Sequence, residues 1–188
     1  MNMAEELGSG RIEVRICGFG GQGIVRAGVI LGLAASIYAG KNAAQSQSYG
    51  PEARGGSCRS EVVISNSEID YPKIEVPDVV VIMSQEAYRR YANEVKKDGL
   101  LIVDPEMVPE AERSSPARVV QVPASKIADE LGRRIVSNVV MLGALTALTK
   151  IVPVEAVEKA ILSSVPKGTE DLNLSAFRKG YAFARPQT

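Results

Sequence analysis

The residues best suited to chemistry are the glycines of Gly18-Phe19-Gly20-Gly21-Gln22-Gly23. Gly18, Gly20 and Gly23 satisfy the pattern G-x-G-x-x-G, with a strand-like segment before them and helical periodicity after them. Glycines allow a tight turn and close backbone approach, and the N-terminus of the following helix favours an anion. Three uses of such a turn are open: a dinucleotide site, a site for a phosphate or acyl-carrier ligand, or a turn that only lets the helix pack on its strand. The first also needs an acidic residue about 20 positions further on to hold a ribose. The corresponding stretch, Asn42-Ala43-Ala44-Gln45-Ser46-Gln47-Ser48, has neither that carboxylate nor an arginine for a 2′-phosphate, which disfavours a dinucleotide.

A second candidate is Gln45 to Gly56, a polar, glycine-bearing segment that places Tyr49, Glu52 and Arg54 close together. A parallel sheet brings the ends of its strands to one edge, so this segment is expected beside the glycine turn. Arg54 suits either a phosphate or an internal pair with Glu52. Gln22 suits either a ligand or a backbone group of its own turn, and Tyr49 is expected to pack its loop against the domain. Cys17 and Cys58 read as small buried apolar residues. Tyr88 and Tyr91 fall on one helix face, in the core or at an interface. Val139, Leu142, Leu145, Thr146 and Thr149 recur at helical spacing and read as core.

The missing residue types narrow the chemistry. The chain of 188 residues has no histidine, the commonest general base and metal ligand. Its two cysteines cannot hold an iron–sulfur cluster, which takes about four thiolates. With 22 basic and 22 acidic residues it lacks the concentrated positive charge that grips nucleic acid. Residues 1–10 are polar and acidic, expected to be flexible and unlike a signal peptide. No apolar run approaches the ~20 residues of a membrane helix, and the segment Ile24 to Ala39 carries Arg26. A reducing cytoplasm is the expected home.

These features need a frame of strands and helices. Arg11 to Cys17 reads as a first strand continuing into Gly18, and Ile24 to Tyr38 as a helix that Gly40 stops. Asn42–Gln47, Cys58–Ser65, Asp78–Met83, Gly99–Asp104 and Arg118–Val122 read as further strands. Ser84 is a natural N-cap for a helix from Gln85 to about Val95. Helices are expected over Ala124–Gly132, Asn138–Lys150, Val154–Ser163 and Leu172–Phe183, with Pro153 in the first turn of the third. The expected fold is α/β: a single Rossmann-like domain over residues 1–188, its mostly parallel sheet covered by helices on both faces and its C-terminal part helical.

The glycine turn together with Gln47-Ser48-Tyr49-Gly50-Pro51-Glu52-Ala53-Arg54-Gly55-Gly56 resembles the gamma subunit of 2-oxoacid:ferredoxin oxidoreductases. The resemblance continues through Arg59-Ser60-Glu61-Val62-Val63-Ile64-Ser65, Ile69-Asp70-Tyr71-Pro72 and Met83-Ser84-Gln85-Glu86-Ala87-Tyr88, and is looser over the helical C-terminal half. The Tyr-Gly-Pro-Glu-Ala-Arg-Gly-Gly segment is most similar to the 2-oxoglutarate type. The resemblance implies oxidative decarboxylation of a 2-oxoacid with coenzyme A, giving an acyl-CoA, carbon dioxide and reduced ferredoxin. It implies thiamine diphosphate, Mg2+ and iron–sulfur clusters on partner subunits, none held by this chain. The implied partners are thiamine-binding alpha and beta subunits and a ferredoxin-like delta subunit or ferredoxin, with no nucleic acid and no membrane. Gly18, Phe19, Gly20, Gly21, Gln22, Gly23, Gln45, Ser46, Gln47, Ser48 and Arg54 are the implied coenzyme A contacts, and no catalytic residue is assigned. A non-catalytic assembly role and a stand-alone dinucleotide protein remain as alternatives.

Overall fold

The computed structural model describes residues 10–49, 57–111 and 117–185. In chain order it contains β1 (Arg11–Phe19), α1 (Ile24–Leu33), β2 (Asn42–Tyr49), β3 (Ser57–Ser65), β4 (Val79–Ile82), α2 (Gln85–Tyr91), β5 (Leu100–Val103), β6 (Arg118–Gln121), α3 (Ala124–Glu130), α4 (Ser137–Thr149), α5 (Val154–Ser164) and α6 (Glu170–Ala184). The strands form one sheet in the order β2-β3-β1-β4-β5-β6. β1 pairs in parallel with β4, β4 with β5 and β5 with β6, whereas β3 is antiparallel to both β1 and β2. Five strands therefore share one direction and β3 alone is reversed, which the spacing of its apolar residues did not indicate.

Val79–Ile82 and Leu100–Val103 are wholly buried, because they lie inside the sheet with both faces covered. One face, through Val14, Ile16, Val81 and Ile102, packs beneath α1, α3, α4, α5 and α6. The other, through Cys17, Val80, Ile82, Leu101 and Val103, packs against Ala87 and Tyr91 of α2 and against Val95, Val108 and Ala117. α4 is buried on nearly every side, and its Thr146 and Thr149 hydroxyls donate to the carbonyls of Leu142 and Leu145 at 2.8 and 2.7 Å. These two threonines thus need no outside partner. Ser84 caps α2 as expected, its Oγ accepting from the Ala87 N–H at 3.2 Å. α2 is shorter than expected: it ends at Tyr91 and gives way to a 3-10 turn at Ala92–Glu94. α1 continues as a π-turn over Ala34–Tyr38, and Gly40 follows with φ +64°. Pro153 stands at the N-cap of α5 rather than inside its first turn.

The helix-poor face also holds a buried ion network. Arg15 is 3% exposed, and its Nε donates to Glu61 Oε1 at 2.7 Å. Its Nη1 pairs with Glu94, and its Nη2 donates to the Ile74 carbonyl at 3.3 Å. The guanidinium groups of Arg15, Arg59 and Arg90 lie 5.7, 5.9 and 5.3 Å from the centre of the Tyr91 ring. A buried charge persists only when its hydrogen bonds are answered, and carboxylates, a carbonyl and an aromatic face answer Arg15 from several directions.

Candidate anion-binding cleft

The glycine turn leaves β1 at the edge where β2 ends and β3 begins: Phe19 is paired with Ser57, and Cys58 with Tyr49. Gln22 organises the turn. Its Oε1 accepts from the Phe19 N–H at 2.9 Å and its Nε2 donates to the Met83 carbonyl at 2.6 Å, joining the ends of β1 and β4. Of its two open roles, Gln22 therefore takes the backbone one. Gly18 leaves room for that amide, since a Cβ there would stand 2.2 Å from Gln22 Oε1. Gly23 begins α1 in the left-handed region, φ +75°. A Cβ on it would come within 2.4 Å of Asn138 Nδ2, which donates to the Gly23 carbonyl at 3.0 Å.

In front of the turn lies a cleft of about 860 Å³. Phe19, Gly20, Gly21 and Gly23 form one wall, with Val25, Arg26 and Val29 of α1. Arg133, Ile135, Val136 and Asn138 approach from the start of α4, and Ser164, Thr169, Leu172 and Asn173 from the end of α5 and the start of α6. Tyr49 and Cys58 complete it from β2 and β3. The first turns of three helices thus line one cavity, and helix N-termini carry partial positive charge. α1 and α4 have no acidic residue in the first turn and no side-chain cap. α6 differs, because it begins Glu170-Asp171 and Glu170 accepts from the Gly168 N–H at 2.6 Å. Arg26 and Arg133 are exposed and, among the described residues, neither forms an ion pair. Ser164 Oγ is buried without a hydrogen-bond partner. A cavity with uncapped helix starts, two unpaired guanidiniums and an unanswered hydroxyl suits an anionic ligand with further acceptors.

The residues singled out in the sequence fall into three groups. Phe19, Gly20, Gly21 and Gly23 line the cleft, while Gly18 and Gln22 support the turn from behind. Gln45, Ser46, Gln47 and Ser48 lie in the edge strand β2 outside the cleft's described lining. Gln45 there donates to Ser60 Oγ at 2.9 Å. Arg54, with the rest of Gly50–Gly56, falls outside the described residues. Tyr49, expected to pack its loop, is instead 63% exposed at the cleft's rim. Cys17 is buried, and burial pushes its thiol up to about 12. Cys58 is raised as well, also by burial.

Arg26, Arg133, Asn138, Ser164, Thr169 and Asn173 were not anticipated as site residues. Arg26 carries one legible signal: a cation in the first turn of a helix opposes the helix dipole and implies a counter-anion. Among the described residues no group of His, Cys, Asp and Glu is placed to hold a metal, and none of the helices described is long and apolar enough to cross a membrane.

Comparison with known proteins identifies the family. The family model described as pyruvate ferredoxin/flavodoxin oxidoreductase matches residues 13–183. The 2-oxoglutarate synthase subunit KorC of Methanocaldococcus jannaschii is 53% identical over 181 residues, covering 93% of this chain and 95% of that protein. The crystal structure of the keto/oxoacid ferredoxin oxidoreductase gamma subunit from Geobacter sulfurreducens superposes with a TM-score of 0.82 at 44% identity, over 92% of this chain and 98% of the other. A 2-oxoglutarate:ferredoxin oxidoreductase from Magnetococcus marinus, with 2-oxoglutarate, coenzyme A and succinyl-CoA bound, shares the fold at 23% identity and a TM-score of 0.85. That match covers 96% of this chain but 32% of the longer one. The chain belongs to the pyruvate ferredoxin/flavodoxin oxidoreductase family, as a gamma-type subunit.

Proposed function

We propose that the chain is the gamma subunit of a 2-oxoglutarate:ferredoxin oxidoreductase and that its cleft receives coenzyme A. The complex would convert 2-oxoglutarate and coenzyme A into succinyl-CoA and carbon dioxide, passing both electrons to ferredoxin. The choice of 2-oxoglutarate rests on similarity to the KorC proteins over nearly their whole length. The coenzyme rests on one observation: the uncapped starts of α1 and α4 line the same cavity as Arg26, Arg133 and the unpartnered Ser164 hydroxyl. Phosphates suit the helix starts and arginines, and the apolar rim of Val29, Tyr49 and Ile135 suits the less polar parts of the molecule. With two cysteines the chain does not fit an iron–sulfur cluster, and the family resemblance puts thiamine diphosphate outside this chain as well. Those groups belong to partner subunits in this reading, and no step is assigned to them here. The role of this chain is to bind and orient the thiol-bearing co-substrate.

The test compares Gly21→Asp with Gly21→Asn in the assembled complex. Gly21 has φ +102°, and a Cβ there meets nothing within 4 Å, so both variants carry similar backbone strain and differ in charge. Gly21→Asp is expected to weaken coenzyme A binding by about tenfold relative to Gly21→Asn, about 1.4 kcal/mol, with the KM for 2-oxoglutarate little changed. Equal coenzyme A constants for the two variants would show that the cleft does not face a phosphate.

A further inference from the structure

The wall of the cleft that carries Arg133 is a short strap between α3 and α4. It starts at Gly132, whose φ of +80° turns the chain away from α3, and runs through a 3-10 turn at Arg134–Val136 into Ser137. Residues 132–135 are all exposed, so little apolar packing holds them. Arg133, Ile135 and Val136 line the cleft, whereas Arg134 is turned to other partners. Its Nη1 donates to Asp129 Oδ2 at 3.2 Å, and its Nη2 donates to Glu106 Oε1 and lies 3.7 Å from Met107 Sδ. Neither Glu106 nor Asp129 belongs to the cleft's described lining.

Both carboxylates stand on ground fixed by the sheet. Asp104, fully buried directly after β5, accepts from the Glu106 N–H at 3.1 Å through Oδ1 and from the Ser125 N–H of α3 at 2.7 Å through Oδ2. One side chain therefore places the turn that bears Glu106 and the helix that bears Asp129. Arg89 and Arg178 each meet one carboxylate at the surface, and such pairs contribute little because two free side chains must be ordered. Arg134 differs, since one guanidinium ties the strap to two elements that Asp104 already holds. Arg133 forms no ion pair among the described residues, so its aim depends on the backbone of the strap. That backbone is tied to α3 where the Arg133 N–H donates to the Ala128 carbonyl at 3.2 Å.

We infer that Arg134 is a positioning residue for the cleft: by clamping the strap to Glu106 and Asp129 it holds Arg133 aimed at the phosphate groups of coenzyme A. This rests on the coenzyme reading above. The clamp supplies the ligand with no attractive charge of its own, because two anions answer the Arg134 cation. It supplies order. A guanidinium held in place before the ligand arrives binds without losing that freedom again.

The experiment measures coenzyme A binding by the assembled complex carrying Glu106→Ala combined with Asp129→Ala. Both positions are exposed, so the variant is expected to melt with the wild type. Removing two carboxylates makes this side of the chain more positive, and a long-range field alone would then tighten an anion. Loss of the clamp is expected to do the reverse: the coenzyme A Kd rises about fivefold, with kcat at saturating coenzyme A and the KM for 2-oxoglutarate unchanged. Arg134→Ala, which shifts the charge in the opposite sense, is expected to weaken binding by a similar factor. In an Arg133→Ala background the double variant should move the Kd by less than about twofold, because it acts through Arg133. Tighter or unchanged binding in the double variant, or an equal loss with and without Arg133, overturns the positioning role and leaves the coenzyme reading standing. A loss of binding matched by a loss of 2-oxoglutarate saturation or of melting temperature makes the clamp merely structural and overturns the role too. Wild-type coenzyme A binding in Arg133→Ala itself also overturns it; if Gly21→Asp and Gly21→Asn then bind alike, the coenzyme reading falls as well.

Discussion

Two sets of arginines lie on opposite sides of the sheet, and the fold treats them in opposite ways. Arg15 is buried and answered by Glu61, Glu94, the Ile74 carbonyl and the face of Tyr91. Arg26 and Arg133 stand exposed beside helix starts that already carry positive potential, and no carboxylate of the described residues pairs with either. Among the described residues only the first set is complete. The starts of α1 and α4 carry no acidic residue to offset their positive potential, which weakens folding slightly and suits the arrival of an anion. Arg59 is intermediate: it packs on Tyr91, yet its Nε is buried without a hydrogen bond, 4.0 Å from Glu61 Oε1.

The largest expected effect comes from breaking the complete set. Arg15→Met strands Glu61 in the interior and is expected to cost about 3–5 kcal/mol, read from urea unfolding of the isolated chain. Arg15→Met with Glu61→Gln should recover much of the loss, because the unpaired charge is what destabilises. A single-variant cost below about 1 kcal/mol would place the pair with ordinary surface ion pairs and dissolve the contrast. The second set should behave in the reverse way. Arg26→Ala with Arg133→Ala is expected to leave folding within about 0.5 kcal/mol of wild type. In the assembled complex it should weaken coenzyme A binding by roughly tenfold and flatten its dependence on salt. A large stability loss with unchanged binding would mean that these arginines are structural after all.

The smallest effect concerns Cys17, which lies among the apolar residues beside the Arg15 network. Its folded thiol is raised from 9.0 to about 12, mainly by burial. Above about pH 9 the unfolded chain loses this proton while the folded chain keeps it, so the unfolded state binds fewer protons and stability falls as pH rises toward about 12. Below pH 9 the group contributes no slope. Cys17→Ala should remove the alkaline component of the stability profile, and in the native wild type the thiol should resist labelling at pH 8.

Much of the frame was legible because local chemistry dictated it. Val79–Ile82 and Leu100–Val103 are uniform apolar runs that only a strand covered on both faces can use, and Ser84 and Gly40 mark helix ends by their own preferences. Reversal of β3 was not legible, since alternation reports which face a residue occupies and not which way the chain runs. The cleft was half legible. The glycine turn shows itself by spacing, but Arg133, Asn138, Ser164 and Asn173 reach it only through the packing of α4, α5 and α6. Glu61 and Arg15 are each one charge among several in β3 and β1, and only the register that sets them opposite each other marks them as a pair.

Gln22 has a thermodynamic consequence beyond holding a turn in place. Glycine-rich segments have the most conformational freedom to lose, and a ligand that had to order one would bind more weakly by that entropy. Here the amide of Gln22 ties the Phe19 N–H to the Met83 carbonyl through groups of the chain itself, in a space that Gly18 keeps clear. The ordering therefore accompanies folding, and the affinity of the cleft carries no share of it. The least conspicuous polar side chain of the turn is thus the one that lets three glycines act as a rigid surface.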